Sequence, residues 1–430
     1  MDHVWLGSIA VGMMLEVNVL GQLTGADVLC LALFPFLVIK RGRLLARREA
    51  LLVLMLSFLW LGSQVLTDVI VSTPFEDWSR GWARIVIFTI GLSTCLMLTR
   101  LNLLKALLFV QALAAAGAMK LFIGVGKYDL ANQDLQTGWK FGYGYLAGVA
   151  ALTVVWRLTP QGRRLSAVDG LPFGAAIVAL AFNARSMFGL TALAAIVQVV
   201  TRFARRLSKL ALSGYAVGFL LAAALLVMIY SQAASMGILG ASAQIKYEQQ
   251  ADSDVGILGG RKELLGSSQA IIDSPLIGHG SWAKDPRYID VMLTRMAEVG
   301  LAQEGSIAAL YENPLIPTHS HILGAWVEAG LFGALFWIVV LVLVVRALAI
   351  MLRRPPPQVG LISFVLVNFI WDLVFSPFGL DRRIIDAGMI CLALATLSAF
   401  GNRGKVVAAR LRYAAERKAK LAVMQRRSQV

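Results

Sequence analysis

Two of the chain's four histidines stand two residues apart, in Pro317-Thr318-His319-Ser320-His321-Ile322-Leu323-Gly324. A histidine near neutrality can take a proton from a hydroxyl. Two arginines stand in settings where an anion could be held. Arg185 lies in the short connection Asn183-Ala184-Arg185-Ser186 between two apolar runs, and Arg261 follows Gly259-Gly260 in a polar segment. Arginine binds phosphate bidentately and needs no metal to do so. Plainer readings exist for each: interfacial histidines before a helix, a snorkelling Arg185, and a solvated loop charge at Arg261. The polar segment also holds Pro275-Leu276-Ile277-Gly278-His279-Gly280, which reads as a Gly-rich turn. No HExxH, Walker or GxSxG pattern is present, and the cysteines Cys30, Cys95 and Cys391 are scattered. No metal and no cofactor is therefore expected.

Apolar helices must position these groups. From Ile322 to Val345 a single charge, Glu328, interrupts 24 residues. As a helix that run measures roughly 36 Å, enough to cross a bilayer with some tilt. Thr318 is the expected N-cap, with both histidines in the first turn beside the positive end of the helix dipole. Glu328 lies two turns below His321 on the same face, and a carboxylate inside a span rarely faces lipid. Upstream, a helix is expected to run from near Arg261 towards Asp273, and Ile289–Tyr311 is amphipathic.

The chain is 58% hydrophobic and 15% charged, and its apolar runs recur throughout its 430 residues. This excludes a soluble enzyme with a single anchor and gives an all-α polytopic bundle of about 12 spans. Residues 1–236 hold spans one to nine. Residues 237–318 form one large outer loop carrying short amphipathic helices. Residues 319–402 hold spans ten to twelve, and 403–430 form a basic tail. The first span is expected over Val4–Leu20, with no cleavable leader pattern, the third over Leu51–Ile70, the fourth over Ala83–Thr99 and the ninth over Leu210–Ser231. The basic clusters Lys40–Arg48, Arg100–Lys105, Arg157–Arg164, Arg202–Lys209, Arg346–Arg354 and the tail fall on one side of this layout. The positive-inside rule makes that side, with both termini, cytoplasmic. The net charge of +15 is then a consequence of topology, and no nucleic-acid partner follows from it. The tail is a surface for anionic lipid.

With these motifs on the outer face, the chain resembles the O-antigen ligase and polymerase superfamily of bacterial envelope glycosyltransferases. His319-Ser320-His321-Ile322-Leu323 followed by Glu328 and Gly330 is similar to the family's His-Asn-x-x-Leu and Glu-x-Gly, with Ser320 in place of Asn. Gly260-Arg261, Pro275 and Gly278-x-Gly280 resemble its Gly-Arg, Pro and Gly-x-Gly string; Leu264 and Leu265 stand where a Trp is often found. Arg185-Ser186 with Gly189 resembles the Ser-Arg-x-x-x-Gly turn, with Ala184 in place of the preceding Ser.

The resemblance implies metal-independent, inverting glycosyl transfer at the periplasmic face of the bacterial inner membrane. The donor is a glycan on undecaprenyl diphosphate. Arg185 and Arg261 hold the diphosphate, His319 orients or deprotonates the attacking hydroxyl, and His321 and Glu328 assist. Two acceptors fit: another repeat unit, making the chain an exopolysaccharide or O-antigen polymerase, or lipid A-core, making it a ligase. A chain-length regulator is a conceivable partner of the former. A transporter or a non-catalytic assembly partner is the reading from another class. No internal repeat supports it, and the outer-side basic residues concentrate in loops and turns.

Overall fold

The computed structural model describes residues 1–18, 22–124, 135–159, 165–203, 228, 231–233, 235–237, 244, 262–298, 306–353 and 355–401. Apart from one small ribbon these form helices, as lipid requires of chain segments that must satisfy their own backbone polar groups. In order they are α1 (Asp2–Gly12), the strands β1 (Glu16–Asn18) and β2 (Gln22–Thr24), α2 (Gly25–Arg41), α3 (Arg48–Ile70), α4 (Phe75–Thr99) and α5 (Leu103–Phe122). There follow α6 (Leu135–Leu158), α7 (Leu171–Ala181) and α8 (Arg185–Phe203), then α9 (Glu263–Asp273), α10 (Pro286–Glu298) and α11 (Ile307–Glu312). The last three are α12 (His321–Leu352), α13 (Val359–Phe375) and α14 (Arg382–Gly401). Among the described residues six helices, α3 to α6, α12 and α14, are long and apolar enough to cross a membrane. The protein is an all-α helical membrane protein.

Ion pairs fix the direction of the helices. At one end of the bundle, Asp2 opens α1 and meets Arg41 from the end of α2 at 2.8 Å, Arg100 just past α4 at 2.9 Å and Lys105 in the first turn of α5 at 2.6 Å. At the other end, Lys120 in the last turn of α5 bridges Glu16 and Asp381, each at 2.6 Å. Arg383 in α14 meets Asp27 in α2 at 2.9 Å, and Lys284 meets Asp77 in the first turn of α4 at 2.8 Å. Helix α4 has 25 residues and so separates the two ends by about 37 Å. Helices α1 to α5 run alternately up and down between them, as do α12 to α14. The segment holding α9 to α11 covers the second end.

Local chemistry explains where several elements start. Thr24 and Asp27 form a reciprocal capping box at α2, the Asp27 amide donating to Thr24 Oγ1 at 3.2 Å and the Thr24 amide to Asp27 Oδ2 at 2.8 Å. Helix α4 starts at Phe75, ahead of the expected Ala83, because Pro74 presets its entry and Glu76 and Asp77 suit the positive end of its dipole. The expected span Val4–Leu20 is corrected: α1 ends at Gly12, and Glu16–Asn18 pairs antiparallel with Gln22–Thr24. A continued helix would hold Glu16 in lipid, whereas the ribbon delivers its carboxylate to Lys120. The expected span Leu210–Ser231 lies almost wholly outside the described residues.

The amphipathic stretch expected over Ile289–Tyr311 appears as α10 and α11. Tyr288, Ile289, Met292 and Met296 are buried on the inner face of α10. Against α9, Tyr288 donates its hydroxyl to Asp273 at 2.9 Å. Burial pushes the Tyr288 phenol up to about 12. The Gln269 amide and the Tyr288 hydroxyl, both bonded to Asp273, hold its carboxyl below the usual range.

Beneath the covering segment the bundle core is aromatic. Trp60 stacks on Phe336 at 5.3 Å between centroids, and Phe88, Trp337 and Phe378 close around them edge-on or tilted. Such pairs add roughly 0.5–1.5 kcal/mol each beyond burial of their area. This cluster forms a rigid floor beneath the histidine segment.

Candidate functional site

Ser320, not Thr318, caps α12. Its hydroxyl accepts from the Leu323 amide at 3.3 Å and donates to the Leu373 carbonyl at 3.0 Å, tying the start of α12 to the end of α13. The correction separates the two histidines. His321 is the first helical residue, while His319 precedes the cap. Ser320 wins because one hydroxyl serves both the orphan helix amide and a buried carbonyl, which Thr318 does not reach.

Helix α12 breaks at Gly330, whose backbone takes φ 67° and ψ −162°. Only glycine adopts this region without strain. The break frees carbonyls that a continuous helix would bond internally, and each finds a named donor. The His279 amide reaches the Val327 carbonyl at 2.7 Å and the Gly280 amide reaches that of Glu328 at 3.0 Å. Ser63 Oγ of α3 donates to the Ala329 carbonyl at 2.7 Å. The Gly278-His279-Gly280 turn is therefore a splint for the broken helix. Gly278 and Gly280 both have positive φ, 88° and 90°, and a Cβ on Gly278 would stand 2.6 Å from the Gly330 nitrogen.

Replacing Gly330 by alanine forces a Cβ against the Leu276 carbonyl and within 2.7 Å of the Ile277 carbonyl carbon. The backbone conformation alone costs about 1–3 kcal/mol. Gly330→Ala is expected to lower the thermal midpoint of the purified protein and to displace 276–280, read as new proteolytic cleavage there. An unchanged midpoint would contradict the splint.

Asp68, buried near the end of α3, anchors the far side of the turn. It accepts from the Ser281 amide at 2.6 Å, Ser281 Oγ at 2.7 Å, Thr73 Oγ1 at 2.8 Å and Trp82 Nε1 at 2.8 Å. Four donors compensate the desolvation of one carboxylate.

The histidine segment, the start of α12, Arg84 of α4, Trp282 and the turn after α13 enclose a cavity of about 410 Å³ at the covered end of the bundle. Its lining includes His319, Glu263, Glu328, Arg84, Trp282 and Phe378. The volume suits a small organic ligand. His319 keeps 44% of its side chain exposed, and its Nδ1 stands 3.8 Å from Glu263 Oε1. Glu328 forms an ion pair with Arg84 of α4, both mostly buried at 16% and 15% exposure. The Arg84 guanidinium also lies 5.6 Å from the centroid of Trp282 and 5.9 Å from that of Phe378.

His321 occupies a different environment. Its side chain is fully buried, with Nδ1 2.6 Å from the Ser376 carbonyl and Nε2 2.8 Å from Asp386 Oδ2 in α14. A carbonyl only accepts, so Nδ1 carries a hydrogen. A second proton must lie between Nε2 and the carboxylate, and the pair is neutral overall whichever atom holds it. With Trp337 edge-on at 4.9 Å, both ring nitrogens are committed to structure. His321 ties α12 to α14 and to the turn after α13.

The remaining predicted residues lie elsewhere. Arg185 opens α8, where its Nε donates to Asn183 Oδ1 at 3.3 Å, and it is not among the residues lining the cavity. Asn183 itself sits at φ 55°, in the left-handed region. Arg261 lies outside the described residues. The structure thus gathers His319 and Glu328 around the cavity and sets His321 into its floor. It adds Arg84, Glu263, Asp68 and Asp386, which the motif reading did not single out. Among the described residues, no group of three or more His, Cys, Asp or Glu side chains is placed to hold a metal ion.

Fold and site together define a helical membrane protein with a mixed polar and aromatic cavity at one end of its bundle. Comparison of the chain with protein-family models and with curated proteins finds no match to either.

Proposed function

We propose that this protein transfers a glycan from undecaprenyl diphosphate to a sugar hydroxyl at the periplasmic face of the inner membrane, as a repeat-unit polymerase. The observation that carries the reading is the half-exposed His319 at a cavity roomy enough for a sugar ring, with a carboxylate beside one of its ring nitrogens. The resemblance of the three motifs to the O-antigen ligase and polymerase superfamily supports it. In the full topology the chain makes about 12 spans, and residues 237–318 lie in the periplasm.

In the reaction, His319 takes the acceptor hydroxyl proton as the oxygen attacks the anomeric carbon. The bond from that carbon to the diphosphate oxygen breaks, and its electron pair leaves with the diphosphate. Arg185 and Arg261 neutralise the charge that develops there. The products are a lengthened glycan with inverted anomeric configuration, undecaprenyl diphosphate and a proton.

A strain lacking the protein provides the test. Lipid-linked single repeats without long chains are expected in a size profile of its glycans. Full-length chains stranded on undecaprenyl diphosphate, with bare lipid A-core, would identify a ligase instead. An unaltered profile would end the glycosyl-transfer reading.

A further inference from the structure

The cavity's charge inventory is at odds with a diphosphate pocket. Among the described lining residues it holds one guanidinium, Arg84, against two carboxylates, Glu263 and Glu328. The His321–Asp386 pair beneath contributes no net charge. Arg84 is already paired with Glu328, so among the described lining residues these two charges cancel in place. A diphosphate brought here would meet the Glu263 carboxylate at close range, with the Arg84 guanidinium already held by Glu328. Arg185, the described arginine assigned to the diphosphate, lies outside this lining.

What the cavity does offer is the chemistry of an uncharged sugar. Glu263 and Glu328 accept from hydroxyls, and so does the unprotonated His319 nitrogen. The rings of Trp282 and Phe378 supply apolar surface for the C–H face of a pyranose. Trp282 is held at the mouth by a left-handed backbone, φ 52°, between Ser281, which Asp68 fixes, and Ala283, whose carbonyl accepts from the Ile316 amide at 2.9 Å.

We infer that this cavity is the acceptor subsite, taking a neutral sugar ring with one hydroxyl presented to His319, while the donor's diphosphate binds outside it. The inference rests on the glycosyl-transfer reading and deepens it by assigning the two substrates to separate places. Glu328 and Glu263 then select against acidic acceptor rings, and Arg84 is a positioning residue that holds Glu328 towards the ring.

Saturation-transfer NMR on the full chain in lipid nanodiscs tests this, with the methyl glycosides of glucose, galactose, mannose and rhamnose as probes. At least one is expected to receive saturation, and inorganic pyrophosphate is expected not to displace it. Trp282→Ala should weaken that binding roughly three- to tenfold, while Trp282→Phe retains it. The phenyl variant keeps the test sharp if the alanine variant misfolds. Displacement by pyrophosphate would give the cavity to the donor and overturn the inference, as would binding of no glycoside or equal binding by both variants. If the inference fails while the deletion strain still accumulates single repeats, glycosyl transfer stands. Glycoside binding by a protein whose loss alters no glycan keeps the sugar site and removes the transferase.

Discussion

His319→Ala is expected to reduce glycan product by about 10²–10⁴-fold while the protein remains inserted and abundant. The geometry separates these effects. His319 lies ahead of the helix cap with nearly half its side chain exposed, and its one ion-pair neighbour among the described residues, Glu263, stands 3.8 Å away. Removing it leaves no buried partner unsatisfied, so the fold has little to lose. Product would be measured as long-chain glycan, alongside membrane-inserted protein and its thermal midpoint. The resemblance places the same expectation on Arg261→Ala. Normal product from both variants would sink the catalytic reading.

The contrasting experiment is at His321 and Asp386. Either His321→Ala or Asp386→Ala strips one side of a fully buried pair and leaves the other partner uncompensated, a loss of about 3–5 kcal/mol. We expect both single variants to unfold at much lower temperature and to accumulate poorly. The double variant should lose less than the two singles added, because neither buried group is then left alone. A stable His321→Ala protein that is inactive would instead place His321 in the chemistry. The two histidines, two residues apart in sequence, are thus predicted to fail in different ways.

The helical class, and the six long apolar helices among the described residues, were legible because an apolar run of sufficient length has few alternatives in lipid. The Gly-rich turn was visible too, but not its purpose: that Gly278 and Gly280 splint a helix broken at Gly330 depends on a meeting of segments about 50 residues apart. Thr318 was the cap expected from the sequence, and a buried carbonyl at Leu373 decides for Ser320. Most of the residues missed share one signal. Asp68, Arg84, Lys120 and Asp386 are charges inside apolar runs, and the rule that singled out Glu328 applies to each, whereas Glu263 stands in the polar segment and carries no such mark. Read as a set they announce a paired polar layer near one end of the bundle. Which charge pairs with which was not legible, since Arg84 finds Glu328 across 244 residues of chain.

The splint also bears on how the chain is made. Translation delivers residues 276–280 before the helix they support. The Val327 and Glu328 carbonyls therefore emerge after their donors, and α12 has a template on which to stop and bend. A chain whose 276–280 turn was late to form would let the same apolar run continue as one straight rod through Gly330. That would shift Glu328 away from Arg84 and rotate the histidines off the cavity. Order of arrival, as much as final contact energy, then decides whether the newly made protein is competent.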